Sequence, residues 1–243
     1  MMHRGEAKHA LWLGLLAAFV VFALSACGGG GGSQGEGGGD KQAKQEQAKQ
    51  EQAKPRKLPE YGDLRPGKYV TDEFEPALSF GVVGEGWVVG GAEERGVFDM
   101  RLGVEGPVLS FANEQKVFDP NKPSDLIAVS APEDMVAWLQ GHPYLETEEP
   151  EPASVGGVKG TQIDAVVAEE VPNSECGDNC LGLFMIGPDI DGVVYEKERV
   201  RFVVLEDVGG ERVIVAAETR AADFEGFLPK AQDVLKTVEW KGK

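Results

Sequence analysis

The hydrophobic positions of this chain form one continuous run near its start and many short runs after residue 57. The first run covers residues 11–24. Residues 28–57 then contain almost only Gly, Gln, Lys, Ala, Glu and Ser, whereas Val, Leu, Phe and Trp recur throughout residues 58–243. A segment without apolar side chains cannot offset the chain entropy lost on ordering. The pattern therefore predicts three regions, 1–26, 27–57 and 58–243, of which only the last builds a core.

In the first half of residues 58–243, short alternating runs bounded by Gly, Pro or Asn predict an antiparallel meander. The predicted strands are 69–74, 77–83, 87–89, 97–102, 108–112 and 126–129. Pro132 then opens a short predicted helix over 132–140, with Met135, Trp138 and Leu139 on one face. Gly141 ends this helix.

The second half repeats the theme, with predicted strands at 161–168, 181–186, 199–206 and 212–219. The run 199–205 begins with alternation and ends apolar, as a central strand does. Gly209 and Gly210 predict the turn of a hairpin. Helical spacing predicts a closing helix that starts near Phe227, because Pro229 must lie in its first turn; its apolar face comprises Phe224, Phe227, Leu228, Ala231, Leu235 and Val238.

These elements predict an α+β fold, with antiparallel β-sheets, a short mid-chain helix and a C-terminal helix packed on the sheet. A signal segment and a disordered stalk would precede it. The residues from 58 to 243 form one domain in this prediction.

Leu24-Ser-Ala-Cys27 closes the first apolar run, which follows the basic residues Arg4 and Lys8. This arrangement resembles a bacterial lipobox, where a diacylglycerol is attached to the cysteine thiol, the chain is cleaved before it and the new amine is acylated. It predicts a signal peptide over 1–26 and a Cys27 that carries acyl chains such as palmitate. The alternative is an uncleaved membrane helix, but the uncharged run 10–26 is at the short end of the roughly 17–25 residues that a span needs.

The stalk from 27 to 57 has two parts, a Gly-rich coil and a repeat of Ala-Lys-Gln-Glu-Gln at Ala43 and Ala48 that favours transient helix. A coiled coil or a peptidoglycan-binding segment is the alternative, but only alanines recur where a coiled coil needs apolar positions. The segment is slightly basic, with six Lys or Arg against four Asp or Glu, so it can also lie against anionic headgroups. We expect a spacer.

The predicted domain is strongly acidic, with 16 Lys or Arg against 36 Asp or Glu over 58–243 and a net charge of −20. Phosphate backbones would repel it, which excludes nucleic acid as a partner. The charge suits solubility and separation from an anionic membrane; a cation-rich habitat or a basic partner explains it equally well.

Several short phrases accompany this order of elements: Gly67-Lys-Tyr69, Phe74-Glu-Pro76, Gly86-Trp87, Trp138-Leu-Gln-Gly-His-Pro143, Val155-Gly-Gly157, Phe224-Glu-Gly-Phe-Leu-Pro-Lys-Ala and Val238-Glu-Trp240. With them, residues 66–240 resemble an uncharacterised class of actinobacterial and related lipoproteins, and the architecture is similar to the Mog1/PsbP-like α/β sandwich. This resemblance implies the fold, a location on the envelope, and a role in binding or assembly.

Cys176 and Cys180 enclose the turn Gly-Asp-Asn, and two nearby thiols outside the cytoplasm are expected to oxidise to a disulfide. A redox pair or a metal site are the alternatives. The first favours Cys-x-x-Cys at a helix start, and zinc needs two further Cys or His ligands that the neighbouring sequence lacks.

Other candidate sites have a plainer explanation. His142 follows the mid-chain helix and is expected to be a packed or solvent-facing loop residue, because no Gly-x-Ser-x-Gly or Ser-x-x-Lys motif supplies a nucleophile. Asp189-Ile-Asp191-Gly192, four residues before Glu196, is faintly calcium-like but predicts a hairpin turn. Residues 146–151 form a charged loop, with a docking strip for a basic partner as the alternative.

Together these features predict a lipid-anchored module on the extracytoplasmic side of the cell membrane that binds or assembles without catalysis, cofactor or metal. Its partners would be the membrane, through Cys27, and an envelope protein. The alternative is a lipoprotein that binds a small ligand or cation and delivers it to a membrane partner. A hydrolase would need a Ser, Thr or Asp within hydrogen-bond reach of His142.

Overall fold

The computed structural model describes residues 54–71, 74–94, 96–113, 116–168, 171, 179–185 and 191–241, without the side chains of 91–94 and 191. The strands are β1 (Arg56–Lys57), β2 (Gly62–Leu64), β3 (Gly67–Thr71), β4 (Leu78–Val82), β5 (Trp87–Glu94), β6 (Val97–Leu102), β7 (Val108–Ala112), β8 (Lys116–Phe118), β9 (Ala128–Ser130), β10 (Leu145–Thr147), β11 (Glu151–Val155), β12 (Val158–Val167), β13 (Cys180–Met185), β14 (Asp191–Tyr195), β15 (Glu198–Val208), β16 (Glu211–Arg220) and β17 (Glu239–Trp240).

Two α-helices accompany the strands in the described ranges, α1 (Met135–Gln140) and α2 (Phe224–Leu235). A single 3₁₀ turn, Ala221–Asp223, precedes α2. Neither described helix has the length and apolar character needed to cross a bilayer. The signal segment and Cys27, like the stalk up to residue 53, lie outside the described residues, so they stay predictions.

The described strands form three sheets. The central sheet has nine strands. Eight of them follow the order β10-β12-β15-β16-β7-β6-β5-β2, and the ninth, β11, pairs with the same edge of β12 as β10 does. A first outer sheet has the order β1-β3-β4-β17 and a second has the order β14-β13-β8-β9. Among the described strands only β1 and β3 pair in parallel, so the predicted antiparallel architecture is confirmed.

The hairpin of β15 and β16 separates two cores, one on each face of the central sheet. Val203 and Leu205 face the first core, which also contains α2 and the first outer sheet. Phe202 and Val204 face the second core, which also contains α1 and strands β8, β13 and β14. Because both faces are covered, the middle of β15 is continuously apolar, and the predicted central strand is confirmed.

The first core is rich in aromatic rings. Phe98 lies between Phe80 and Phe111, with ring centroids 5.3 and 5.4 Å apart, and Trp240 meets the edge of Phe111 at 6.3 Å. Trp240 also donates from Nε1 to the Val155 carbonyl at 2.9 Å. Aromatic contacts of this kind add to the stability that burial provides.

The hairpin of β11 and β12 packs against the end of the chain through a glycine. Gly156 has φ +58°, and a Cβ at this position would lie 2.6 Å from the Trp240 ring. A side chain there would displace the ring, so the turn needs glycine. Two phrases that carried the sequence resemblance are therefore in direct contact.

Two predicted helix starts are wrong. Helix α2 begins at Phe224, three residues before the predicted start, which places Pro229 inside it. Proline removes one backbone hydrogen bond, but the fully buried Phe224 secures the first turn in the core. Helix α1 begins at Met135 and not at Pro132, because Asp134 caps it by accepting from the Ala137 N–H at 2.9 Å. Its predicted end at Gly141 is confirmed.

Candidate functional site

Seven polar side chains form a cluster on the first-core face of the central sheet, near the edge made by β10 and β11. Two arginines lie among acidic groups there. We call this the acid–arginine cluster, and its members are Glu148, Glu151, Gln162, Asp164, Arg199, Arg201 and Glu225.

Strand register brings the cluster together. Asp164 in β12 lies directly opposite Arg201 in β15, and Arg199 is two residues away on the same face. Directly opposed side chains in antiparallel strands start about 5 Å apart at Cβ. The alternating pattern also places both arginines on one face. Val200, which lies between them, and Phe202, which follows Arg201, point into the second core instead.

Asp164 is the centre of the cluster and is only 6% exposed. Arg201 donates from Nε to Oδ1 at 2.6 Å and from Nη2 to Oδ2 at 2.8 Å. Arg199 Nη2 donates to Oδ2 at 3.2 Å. The hydrogen bond to Asp164 raises the pKa of Arg201. A bidentate pair of this kind fixes both the position and the orientation of the two planes.

Arg199 connects the sheet edge to the start of α2. Its Nη2 also donates to Glu148 Oε1, and its Nη1 lies 3.5 Å from Glu225 Oε1. The guanidinium carbon is 4.6 Å from the centre of the Phe224 ring, within the range of a cation–π contact. Arg199 is therefore held from four sides while its carboxylate neighbours Glu148 and Glu225 remain 65% and 80% exposed.

Two open clefts flank Glu148 and Asp164. The larger, about 350 Å³, is lined on one side by Glu146, Asp164 and Arg199. The smaller, about 190 Å³, is lined by Glu148, Glu149, Glu151, Gln162, Asp164 and Arg201. With Glu225, six carboxylates surround two guanidinium groups, so the site keeps an excess of negative charge.

The predicted charged loop at 146–151 is only partly correct. Glu146 belongs to β10 and Glu151 begins β11, so residues 148–150 alone connect the two strands. Both strands lie at the edge of the central sheet. Charged residues together with Pro152 in β11 protect such an edge from pairing with another strand. A partner that binds here would therefore meet side chains rather than the backbone.

A different polar arrangement lies on the second-core face of the same hairpin. Glu218 in β16 is partly buried, and its pKa is raised well above the usual value, first by burial and then by a hydrogen bond to Glu198. Glu198 Oε2 in turn accepts from the Tyr195 N–H at 3.0 Å. Burial and this hydrogen bond favour the protonated form of Glu218, and Arg101 only partly opposes this effect on its pKa.

His142 is a packed residue and not an exposed one. It is 4% exposed and lies between the Trp138 and Tyr144 rings, at centroid distances of 5.1 and 6.1 Å. Its Nδ1 accepts from the Tyr144 N–H at 3.3 Å. Burial lowers the pKa of His142 to about 4, so the ring is neutral at pH 7.

The remaining sequence candidates do not gather into one site. Cys180 begins β13 and is buried, but Cys176 lies outside the described residues, so the disulfide stays a prediction. Asp189 also lies outside them, whereas Asp191 and Gly192 belong to β14 rather than to a turn. Across the described ranges, no three His, Cys, Asp or Glu side chains are grouped to hold a metal ion.

The centre of the acid–arginine cluster was not predicted from the sequence. The alternation around Arg199 and the acidic stretch at 146–151 were recognisable, but Asp164 was not identified. One signal was available, because Asp164 is the single charged residue in the run from Ile163 to Val167. A carboxylate in a buried strand needs a cationic partner.

No protein-family model matches the chain, and no curated protein matches it. Among solved structures the chain is similar to LpqN of Mycobacterium tuberculosis, which is described as involved in cell envelope biogenesis. The sequence identity is 9%, the TM-score is 0.27, and the match covers 74% of this chain and 89% of LpqN. A TM-score this low identifies no family, so the Mog1/PsbP-like fold stays a prediction.

Proposed function

We propose that this protein is a lipid-anchored module on the extracytoplasmic side of the membrane. It binds an envelope protein through the acid–arginine cluster and makes or breaks no covalent bond. The lipobox-like sequence at Cys27 supports the proposal of an anchor. The predicted stalk would let the domain reach partners near the membrane surface. Tethering of this kind raises the local concentration of a binding site.

The observation that carries the proposal is the pair of clefts beside Glu148 and Asp164. Arg199 and Arg201 hold the carboxylates of Glu148 and Asp164 in place, while the side chains of Glu148, Glu149 and Glu151 remain exposed. A fixed array of carboxylates suits Lys or Arg side chains, since charge-assisted hydrogen bonds are strong and directional. We therefore expect the recognised segment to be basic.

The test is crosslinking and co-purification from detergent-solubilised envelopes of the native host, with the full chain. A Glu148→Gln, Glu149→Gln double variant is compared with a Glu60→Gln, Glu133→Gln variant, which removes the same charge at exposed positions elsewhere. The partner should carry a basic segment, and its recovery should fall about tenfold only in the cluster variant. A Cys27→Ala chain should also lose the partner, because it has no anchor.

Equal recovery from the two double variants would contradict a role for the cluster. If nothing protein-like is enriched, the alternative of a small-ligand or cation-binding lipoprotein takes its place. That alternative is then tested by calorimetry of the full chain with amines and divalent cations, since the larger cleft is within the usual size range for small ligands.

A further inference from the structure

The point where the chain enters the described domain lies beside several strand connections. The connection from β2 to β3, at 65–66, and the connection from β4 to β5, at 83–86, are at the same end as the start of β1. The connection from β6 to β7 joins them there, because the Gly103 N–H donates to the Gly86 carbonyl at 2.7 Å. We call this the stalk-exit end.

Arg56 holds the first described residues of the chain in place at this end. Arg56 Nη1 donates to the Tyr69 hydroxyl at 3.4 Å, and that hydroxyl donates to the Arg65 carbonyl at 2.8 Å. The Arg56 guanidinium also lies 3.5 Å from the position of a Cβ on Gly67. Arg56 and Arg65 are thus held close together, and the exposed Lys54 lies two residues before Arg56.

Two valines project from the connecting turns at the same end. Val104 is 82% exposed and Val83 is 67% exposed, more than any other large hydrophobic side chain among the described residues. Glu85 and Glu105, also exposed, share these turns. Apolar side chains at the tips of turns beside basic groups are suited to the interface between headgroups and acyl chains.

This end is much less acidic than the domain as a whole. Lys54, Arg56 and Arg65 balance Asp63, Glu85 and Glu105, and the predicted stalk that leads here is itself basic. The domain as a whole is strongly acidic, so an anionic surface would repel other orientations more than this one.

The length of chain between Cys27 and the domain also keeps the domain near the membrane surface. From Cys27 to Lys54 there are 27 peptide steps. A flexible chain of this length has a mean end-to-end distance of about 30 Å, so the stalk-exit end would meet the headgroups often.

We infer that the stalk-exit end rests on the anionic lipid surface that holds Cys27. Arg56 and Arg65 contact lipid phosphates, and Val83 and Val104 enter the headgroup region. The domain is thereby oriented on the membrane instead of tumbling freely on its stalk. The inference rests on the lipid anchor of the proposed function, but not on the acid–arginine cluster.

The experiment uses the lipidated full chain, reconstituted into vesicles. An environment-sensitive fluorophore is placed at Val104→Cys, or at Glu211→Cys as a matched exposed position at the other end of the central sheet. The unsubstituted chain, labelled in the same way, measures the contribution of the native cysteines. Quenching by nitroxide lipids is compared between vesicles of phosphatidylglycerol with phosphatidylcholine and vesicles of phosphatidylcholine alone.

We expect quenching at position 104 to exceed that at position 211 about tenfold on the anionic vesicles, and to fall with added salt. An Arg56→Gln, Arg65→Gln variant should lose this excess, whereas Lys122→Gln, Lys159→Gln, which removes the same charge at exposed sites elsewhere, should keep it. Thermal unfolding checks that each variant is folded. The comparisons between lipid compositions and between salt concentrations use no arginine variant, so they test the inference even if that variant does not fold.

Equal quenching at the two positions, or quenching at 104 that is the same on both kinds of vesicle, overturns the inference and leaves the anchor intact. A chain that does not float with the vesicles overturns the anchor, and this inference with it. The two failures are therefore distinguishable in one preparation.

Discussion

The two faces of strand β15 present side chains of opposite charge to the carboxylates of the adjacent strands. On the first-core face, Arg199 and Arg201 pair with the buried Asp164, so opposite charges meet. On the second-core face, Glu198 meets Glu218, and the pKa of Glu218 rises because of burial and this contact. The adjacent strands supply a carboxylate in both cases, Asp164 from β12 and Glu218 from β16, so the difference comes from β15, which presents arginines on one face and Glu198 on the other.

The second-core side also contains a buried histidine. His142 packs there against Trp138, and burial keeps its ring uncharged at pH 7. Stability on the first-core face should therefore depend on whether each charge keeps its partner. Stability on the second-core face should depend on pH, because its groups change protonation on unfolding.

The largest effect is expected from breaking the pairing on the first-core face. Asp164→Ala leaves two partly buried guanidinium groups without their central carboxylate. We expect the free energy of unfolding to fall by about 3 kcal/mol, measured by urea denaturation. Asp233→Ala is the control, because Asp233 forms an exposed ion pair with Lys236, and it should cost less than about 1 kcal/mol. Similar losses in the two variants would contradict the central role of Asp164.

His142 should make the protein less stable in acid. The folded pKa of about 4 lies below the usual histidine value of 6.5, so in weak acid the unfolded chain binds a proton that the folded chain does not. The stability is fully present above pH 6.5 and is lost as pH falls toward 4. At about pH 5 this residue should cost about 2 kcal/mol relative to neutral pH.

Denaturation of His142→Phe across this pH range tests the effect, because phenylalanine keeps the ring packing but does not titrate. The variant should lose that part of the pH dependence. Tyr144→Phe keeps both His142 and the Tyr144 N–H that binds it, so it should retain the wild-type slope. A slope unchanged in His142→Phe would show that other groups cause the acid sensitivity.

Glu218 should have a smaller effect with the opposite sign. Its folded pKa is raised, so the folded chain holds a proton that the unfolded chain releases. Stability from this group is present below the ordinary Glu pKa and is lost as pH rises through the folded value. Glu218→Gln removes that loss. We therefore expect its free energy of unfolding to exceed that of the wild type by about 1 kcal/mol at neutral pH and to equal it in acid.

Unfolding free energies of Glu218→Gln are measured from acidic to neutral pH beside those of Glu211→Gln. Glu211 is exposed at the start of the same strand, so its replacement removes the same side-chain charge without removing the buried contact. A difference between Glu218→Gln and the wild type that does not vary with pH would contradict the raised pKa of Glu218.

The smallest effect is expected at the rim of the acid–arginine cluster. Glu225 is 80% exposed and lies 3.5 Å from Arg199, which keeps Asp164 and Glu148 as partners. Glu225→Gln should change the free energy of unfolding by less than about 0.5 kcal/mol, because exposed ion pairs are worth little. Thermal unfolding at low and high salt checks this, and a loss as large as that of Asp164→Ala would mean that Glu225 is a central member.

Much of the fold was predictable because it follows from local patterns. Two strands, β6 and β7, have the predicted bounds, and the turn between β15 and β16 uses Gly209 and Gly210 at φ +72° and +99°. The short edge strands β1, β2, β10 and β17 were missed, and β1 lies within the residues predicted as the disordered stalk. Segments of two or three residues hold their extended form through their neighbours and carry too little periodicity of their own.

The sequence by itself determined the division of the chain, the charge of each part, the alternation of β15 and the apolar face of α2, because these depend on residues close together in the chain. The tertiary structure decided which groups meet. Asp164 and Arg201 are 37 residues apart, and only strand register makes them a pair. Register likewise sets Glu218 beside Glu198, and the connection of two turns sets Val83 near Val104. Local propensity cannot specify such long-range pairings, because they follow from how two cores are buried at once.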